Sequence, residues 1–497
     1  MHYFTGHGSN PPSEAALKLL NTHFSGCCML PRLRDIRWIS APPGHLELML
    51  PLIMSPVLTN FWLGLDIPYP PNPLQAISVL ESLAPAYDSL VEVRICHHIV
   101  QDPRIVDAAS TLLLKCNPDK LRYFSVDSAL SVEAFIHATQ LPNLEEIVIR
   151  TDTTEPSIPL PTSAFPSLNS LEINTTSMHS PLLQIVTHIQ STTFINLSLE
   201  FPAAALGTFL PTTLAALRPR GLHQTLTGIS IAPEGNFDLD GAAIRPLLFL
   251  NQLTLLEVDV RCGQNRCPYK LSDKDLEELV KAMPKLKSLS LVRFPCSRPA
   301  DSTMKSLVSI AKLCKNLEEL IIHTNIEVII AGVFRRGRWE VRTLEDPLPT
   351  FIGCPLRFIT FGPCPIPREQ QGAVIFALTL LRLFPRLATV IAHHPTDETD
   401  PQFRLVNSVI ATHRYIHMNI ADAGEFSNLL PYTKFTHVLQ LLMRRSTKYY
   451  SRFHFLGLPI PRVFSTLYSV LPLSDFLNLL ITTFDSKPTK QSRYIDV

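Results

Sequence analysis

The 497-residue sequence predicts an α/β repeat solenoid, with a curved parallel sheet on the concave face and helices on the convex face. Three observations predict it. The first is an apolar triplet at offsets 0, +3 and +5, plainest in LPNLEEIVI as Leu144, Ile147 and Ile149. From Ile147 onward its side chains alternate in and out, as in a half-buried strand. The second is recurrence. Thirteen such triplets start at Leu33, Leu58, Leu90, Leu121, Leu144, Leu168, Phe194, Leu226, Leu253, Leu286, Leu317, Leu356 and Leu387, spaced 23 to 39 residues apart. A self-similar period of about 20 to 50 residues marks a repeat architecture. The third is the wording between triplets, where helical patterns end in phrases such as LPNL, FPSL, MPKL and FPRL. Proline there stops the helix and cannot donate to a ladder, so it precedes the strand. A strand–turn–helix unit with one apolar side per element buries that side only against its neighbours.

Composition agrees with one long, well-filled body. Hydrophobic residues make up 46% and charged residues 18%, which favours a well-filled core over disorder. The net charge of +1 supplies no global field to recruit nucleic acid or a membrane, so any charge recognition is local. Ten cysteines follow no disulfide framework, and MHYFTGHGSNPPSEAALK lacks a basic region followed by an apolar run. Reduced, mostly buried thiols in a cytoplasmic or nuclear protein are therefore expected. The most apolar window, Leu46 to Leu65, contains Glu47, Pro51 and Pro56 and reads as repeat core, not as a bilayer span.

In chain order, residues 1–29 read as a lead-in holding one amphipathic helix, Glu14 to Phe24, capped by Ser13. Residues 30–395 read as the solenoid. Its clearest helices are expected at Asp102–Cys116, Ser131–Gln140, Ser272–Met283, Asp301–Cys314 and Arg368–Phe384. The longest interval holds an insertion, Val333 to Pro349, with the basic wording FRRGRWEVR. Residues 396–497 read as a C-terminal cap, with a helix at Asp400–His413, and an irregular aromatic tail.

The phrases LSDKDLEELVKAMPKLKSLSL, DSTMKSLVSIAKLCKNLEELII and PDKLRYFSVDSALSVEAFIHATQLPNLEEIVI resemble the repeats of fungal F-box and leucine-rich-repeat proteins. The resemblance covers roughly residues 30–395 and implies a leucine-rich-repeat solenoid, although no copy carries the asparagine or cysteine of the strict motif. In that family an F-box docks on the Skp adaptor of a cullin–RING ubiquitin ligase while the repeats select the substrate. No F-box pattern stands ahead of Leu30, so the Skp adaptor is expected as a partner only if a box lies outside this chain.

No catalytic wording is present: no nucleophile elbow, P-loop, HExxH or glycine-rich dinucleotide fingerprint. Neither enzymatic activity nor a cofactor or metal is expected. Cys262 and Cys267 form a lone C-x4-C without a second pair for zinc, and His413 and His417 read as the polar side of a helix. The arginines Arg335, Arg336 and Arg338 read as a solvated loop. The informative positions alternate with the strand anchors, because the concave face of a solenoid is its usual binding face. They are Trp62, Arg94, Tyr123, Glu146, Glu172, Glu200, Glu257, Asp259 and Glu319, with Arg150 as the main counter-charge. A solvated sheet face explains them equally well. The function expected is a protein-binding module like the substrate-receptor part of a ubiquitin ligase, taking a partner with a basic segment. The alternative is a stand-alone repeat scaffold or inhibitor.

Overall fold

The computed structural model describes residues 3–7, 13–24, 28–39, 43–64, 73–96, 102–151, 160–161, 163–175, 182–202, 206–235, 238–260, 267–291, 300–325, 334–335, 338–339, 354–361, 370–392 and 401–422. Two compact units divide the chain, Met1–Tyr415 and Ile416–Val497. The first is built on one open, all-parallel sheet of 14 strands laid down in sequence order. They are β1 (Tyr3–His7), β2 (Asp35–Ile39), β3 (Asn60–Gly64), β4 (Glu92–Cys96), β5 (Tyr123–Ala129), β6 (Glu146–Thr151) and β7 (Ser170–Thr175). Then come β8 (Asn196–Pro202), β9 (Gly228–Glu234), β10 (Leu255–Val258), β11 (Ser288–Ser290), β12 (Glu319–Ile322), β15 (Phe358–Phe361) and β16 (Thr389–Ala392). Between β12 and β15, the short strands β13 (Phe334–Arg335) and β14 (Arg338–Trp339) form an antiparallel pair of their own. The basic insertion thus includes this paired segment; Arg336 lies outside the described residues.

All thirteen triplets fall on this sheet, and every described anchor side chain is buried, from Leu33, Ile36 and Trp38 to Leu387 and Val390. Backbone geometry repeats with them. At each step one carbonyl just ahead of a strand accepts two successive N–H groups of the next repeat. Arg34 O takes Thr59 N and Asn60 N, Thr59 O takes Val91 N and Glu92 N, and so on to Arg357 O with Ala388 N and Thr389 N, all within 2.7–3.2 Å. The accepting residues lie 23 to 39 apart, the same intervals as the apolar triplets, so the repeats are equivalent in hydrogen bonding as well as in burial.

The proline phrase has a structural use beyond stopping a helix. Its carbonyl accepts from the turn of the following repeat: Ser55 Oγ to Pro31 O at 2.8 Å, Ser89 Oγ to Pro56 O at 2.9 Å, Ser167 Oγ to Pro142 O at 2.5 Å and Asn316 Nδ2 to Pro284 O at 3.3 Å. Carbonyls left over at the helix ends are thereby satisfied by the neighbouring repeat.

The helices are α1 (Glu14–His23), α2 (Pro43–Ile53), α3 (Pro73–Ser82), α4 (Pro103–Lys115), α5 (Val132–Gln140), α6 (Leu182–His188) and α7 (Leu206–Ala216). They continue with α8 (Gly241–Ile244), α9 (Asp273–Ala282), α10 (Met304–Leu313), α11 (Gln370–Leu383) and α12 (Pro401–Asp422). Short polar caps start several of them. Asp102 and Ser131 cap α4 and α5, Ser272 and Asp275 form a reciprocal capping box on α9, and Thr303, not Asp301, caps α10. Consecutive helices pack on each other, α1 on α2 through α4 on α5 and α9 on α10, so they sheath the anchor side of the sheet. The opposite side carries no helix layer among the described residues.

The array is longer than the triplets suggest. β1 pairs with β2 over Tyr3–His7 and α1 packs on α2, so this strand and this helix continue the array ahead of the first triplet. β1 was illegible because YFTGH carries no triplet. At the other end α12 extends the expected capping helix and buries Phe403, Val406 and Ile410 in the core. His413, expected on a polar surface, is only 3% exposed, since it continues that stripe at helical spacing. No described helix is long and apolar enough to cross a membrane.

Candidate functional site

Parallel registry turns the alternating positions of the sheet into rows running across the strands. One row is Asp35, Asn60, Glu92, Tyr123, Glu146 and Ser170; the next, two residues further along each strand, is Arg37, Trp62, Arg94, Ser125, Val148 and Glu172. Rungs are about 4.8 Å apart, so side chains in these rows reach one another.

At the β2–β6 end they do so in two clusters, one around Asp35 and one around Arg94. Arg37 Nε donates to Asp35 Oδ1 at 3.2 Å, Asn60 Nδ2 donates to Asp35 Oδ2 at 3.2 Å, and the Arg37 guanidinium stands 5.7 Å from the Trp62 ring centre. Arg94 reaches further. Its Nε donates to Glu92 Oε1 at 2.5 Å, its guanidinium crosses the Tyr123 ring at 5.6 Å, and Nη1 and Nη2 meet Glu146 at 3.0 and 3.2 Å. One guanidinium therefore spans β4, β5 and β6. Partial burial works against its charge, but Glu146 and Glu92 outweigh that and raise its pKa. The Tyr123 hydroxyl donates to Glu145 Oε2 at 2.8 Å, and that bond, with burial second, raises its pKa so that the phenol stays protonated.

The character of the face changes along the sheet. Over β7–β11 small polar residues alternate with carboxylates: Ser170, Asn196, Ser198, Ser230, Ser288 and Ser290 lie among Glu172, Glu200 and Glu257. Asn174 Nδ2 donates to Glu172 Oε1 at 3.4 Å, Ser230 Oγ to Glu257 Oε2 at 3.4 Å and Ser288 Oγ to Glu319 Oε2 at 3.3 Å. Over β12–β16 the face turns apolar, with Ile321 level with Thr360 and Ile391, and Phe358 one row away. Phe358 is 43% and Ile391 37% exposed, values at odds with packing inside a core.

Of the residues expected on this face, Trp62, Arg94, Tyr123, Glu146, Glu172, Glu200, Glu257 and Glu319 occupy it. Asp259 does not: it is 3% exposed, because β10 ends at Val258 and strand alternation ceases there. Arg94 pairs with both Glu92 and Glu146, so Glu146 is ion-paired within that cluster. Sequence reasoning missed Asp35, Asn60 and Glu145 as members, and it missed the apolar end. Asp35 and Asn60 sit at the same offset from a triplet as Tyr123 and Glu146, which were selected, whereas Glu145 sits next to its triplet start Leu144.

Nothing in the chemistry of the thiols suggests a nucleophile among those described. Burial pushes Cys116 and Cys314 up to about 12, where the thiolate is scarce at neutral pH. Cys267 is a free thiol, while Cys262 lies outside the described residues. Among the described residues no group of His, Cys, Asp and Glu could hold a metal ion. No known protein-family model matches the chain, and no curated protein matches it.

Proposed function

We propose that this chain is a protein-recognition module of leucine-rich-repeat type, acting without chemistry of its own and resembling the substrate-receptor part of an SCF-type ubiquitin ligase. One observation carries the reading: a 14-stranded sheet with one face sheathed by helices and the other presenting ordered, graded side chains. Solenoids use such extended faces for binding. Stacked arginine–aromatic pairs at one end offer rigid anchors. Glutamates in the middle favour a basic segment, and Phe358 and Ile391 favour an apolar residue beyond it.

The test is a pull-down from native extract with the full chain, followed by cross-link mapping of the captured protein. Changing Glu172, Glu200 and Glu257 together to Gln is expected to slow association about tenfold at low salt and much less at high salt, since surface charges act chiefly on encounter. Equal association rates for both proteins at both salts would remove the acidic face from the mechanism.

The ligase part of the reading gives a separate expectation. Among the described residues, one strand and one helix precede β2, and adaptor docking in that family uses a three-helix box. This chain alone is therefore expected not to retain the Skp adaptor. Stoichiometric co-purification of the adaptor would overturn that.

A further inference from the structure

Two consecutive inter-repeat turns, those ahead of β9 and β10, meet around an open cleft of about 620 Å³ lined by Arg218, His223, Gln224, Phe249, Asn251 and Gln252. Gly221, at φ 71°, provides the left-handed step that turns the chain between Arg218 and His223. The Arg218 guanidinium lies flat over Phe249, 4.1 Å from the ring centre, and the His223 ring lies 6.0 Å from the same ring. That stacking fixes the guanidinium, yet no carboxylate pairs with it among the described residues. Among the described residues no carboxylate lines the cleft.

The amides of the cleft are oriented by a cation. Lys285 Nζ donates to Gln252 Oε1, and Gln252 Nε2 donates to Asn251 Oδ1 at 2.9 Å. An ammonium can only donate, so Gln252 must turn its oxygen to Lys285 and its nitrogen to Asn251. Asn251 in turn must present its oxygen to Gln252. Each amide oxygen thus takes an internal partner, which leaves the Asn251 NH₂, the second Gln252 hydrogen and the Arg218 fork as donors toward the cleft, beside the Gln224 amide and the His223 ring.

We propose that this cleft binds a phosphate group carried on a larger ligand. The Arg218 guanidinium, the amide donors and the Lys285 ammonium held on Gln252 match a phosphate monoester, which brings about −1.5 to −2 charges and three strong acceptor oxygens. The cleft falls within the usual range of ligand sites, about 300 to 1,000 Å³, and so has room for the body that carries the phosphate. That body is either a small phosphorylated molecule or a phosphorylated side chain of a protein.

Calorimetric titration of the full chain with inorganic phosphate, phenyl phosphate, a phosphoserine peptide and its unphosphorylated form, all at one ionic strength, tests this. Phenyl phosphate and the phosphopeptide are expected to bind and the unphosphorylated peptide not to. Tighter binding of the phosphopeptide assigns the site to protein partners, and tighter binding of phenyl phosphate to small molecules. Arg218→Gln and Lys285→Gln, both at exposed positions, should keep the fold by circular dichroism and weaken binding about tenfold each. The proposal fails if no phosphorylated probe binds up to about 10 mM, where affinity is negligible, or if neither substitution changes the affinity.

Discussion

Leu289→Ala is expected to lower the unfolding free energy of the repeat unit by about 2 to 5 kcal/mol, the usual cost of emptying a well-packed leucine site. Leu289 is fully buried on β11, level with Leu256 on β10 and Leu320 on β12, so its side chain fills the interface between three repeats. In a stacked array each repeat leans on its neighbours, and a cavity there weakens two interfaces at once. The loss should be uneven in space. Hydrogen exchange should quicken most across β10–β12 and least across β4–β6, because coupling in such arrays decays from repeat to repeat. Urea denaturation supplies the global number, with a lower midpoint. Ser288→Ala, on the opposite face of the same strand, serves as the control and should stay within about 0.5 kcal/mol. An unchanged midpoint in the leucine variant would mean that the wrong face of the sheet has been placed inside.

The strands and their facing were legible because each anchor has two independent constraints, period-two burial along the strand and recurrence between repeats. The carbonyl ladder from Arg34 to Arg357 reproduces the triplet spacing step for step, so the sequence pattern and the hydrogen bonding describe one repeat. Elements without both constraints were harder to read. β1 has no triplet, and α2 and α7 carry Pro51 and Pro211 inside them, which sequence rules take as breaks.

The functional face was legible in outline only. Alternation placed eight of nine candidate residues correctly but failed at Asp259, where the strand had already ended. It also could not foresee that Arg94 would pass over Tyr123 to Glu146, a partner 52 residues away, since that depends on the relative register of three strands. The cleft is further still from the sequence. Arg218 and Phe249 belong to different repeats and meet only through stacking.

Asn407→Leu is expected to cost about 2 to 5 kcal/mol, although Asn407 is a half-buried polar residue outside every triplet. β16 is the last strand of the sheet, and an edge strand presents unpaired backbone groups. Asn407 on α12 meets that need: Val390 N donates to Asn407 Oδ1 at 2.9 Å, and Asn407 Nδ2 donates to Val390 O at 2.8 Å. The side-chain amide thus behaves as one further strand residue, while Phe403, Val406 and Ile410 bury the rest of the helix face. Leucine keeps the bulk and removes both bonds, leaving the N–H and C=O of a residue that is 1% exposed without partners, at about 1 to 3 kcal/mol each. Asn407→Asp separates the two bonds. It keeps the acceptor but sets a carboxylate against the Val390 carbonyl, so the folded state prefers the protonated acid. Its folded pKa is then raised, and stability present at low pH should be lost as pH rises through that value. The readouts are the urea midpoint and the exchange rate of the Val390 amide, with Leu256 as a distant reference. Faster exchange at Val390 alone, with a lowered midpoint, is the expected result. Unchanged protection of that amide in the leucine variant would show that something other than Asn407 closes the edge.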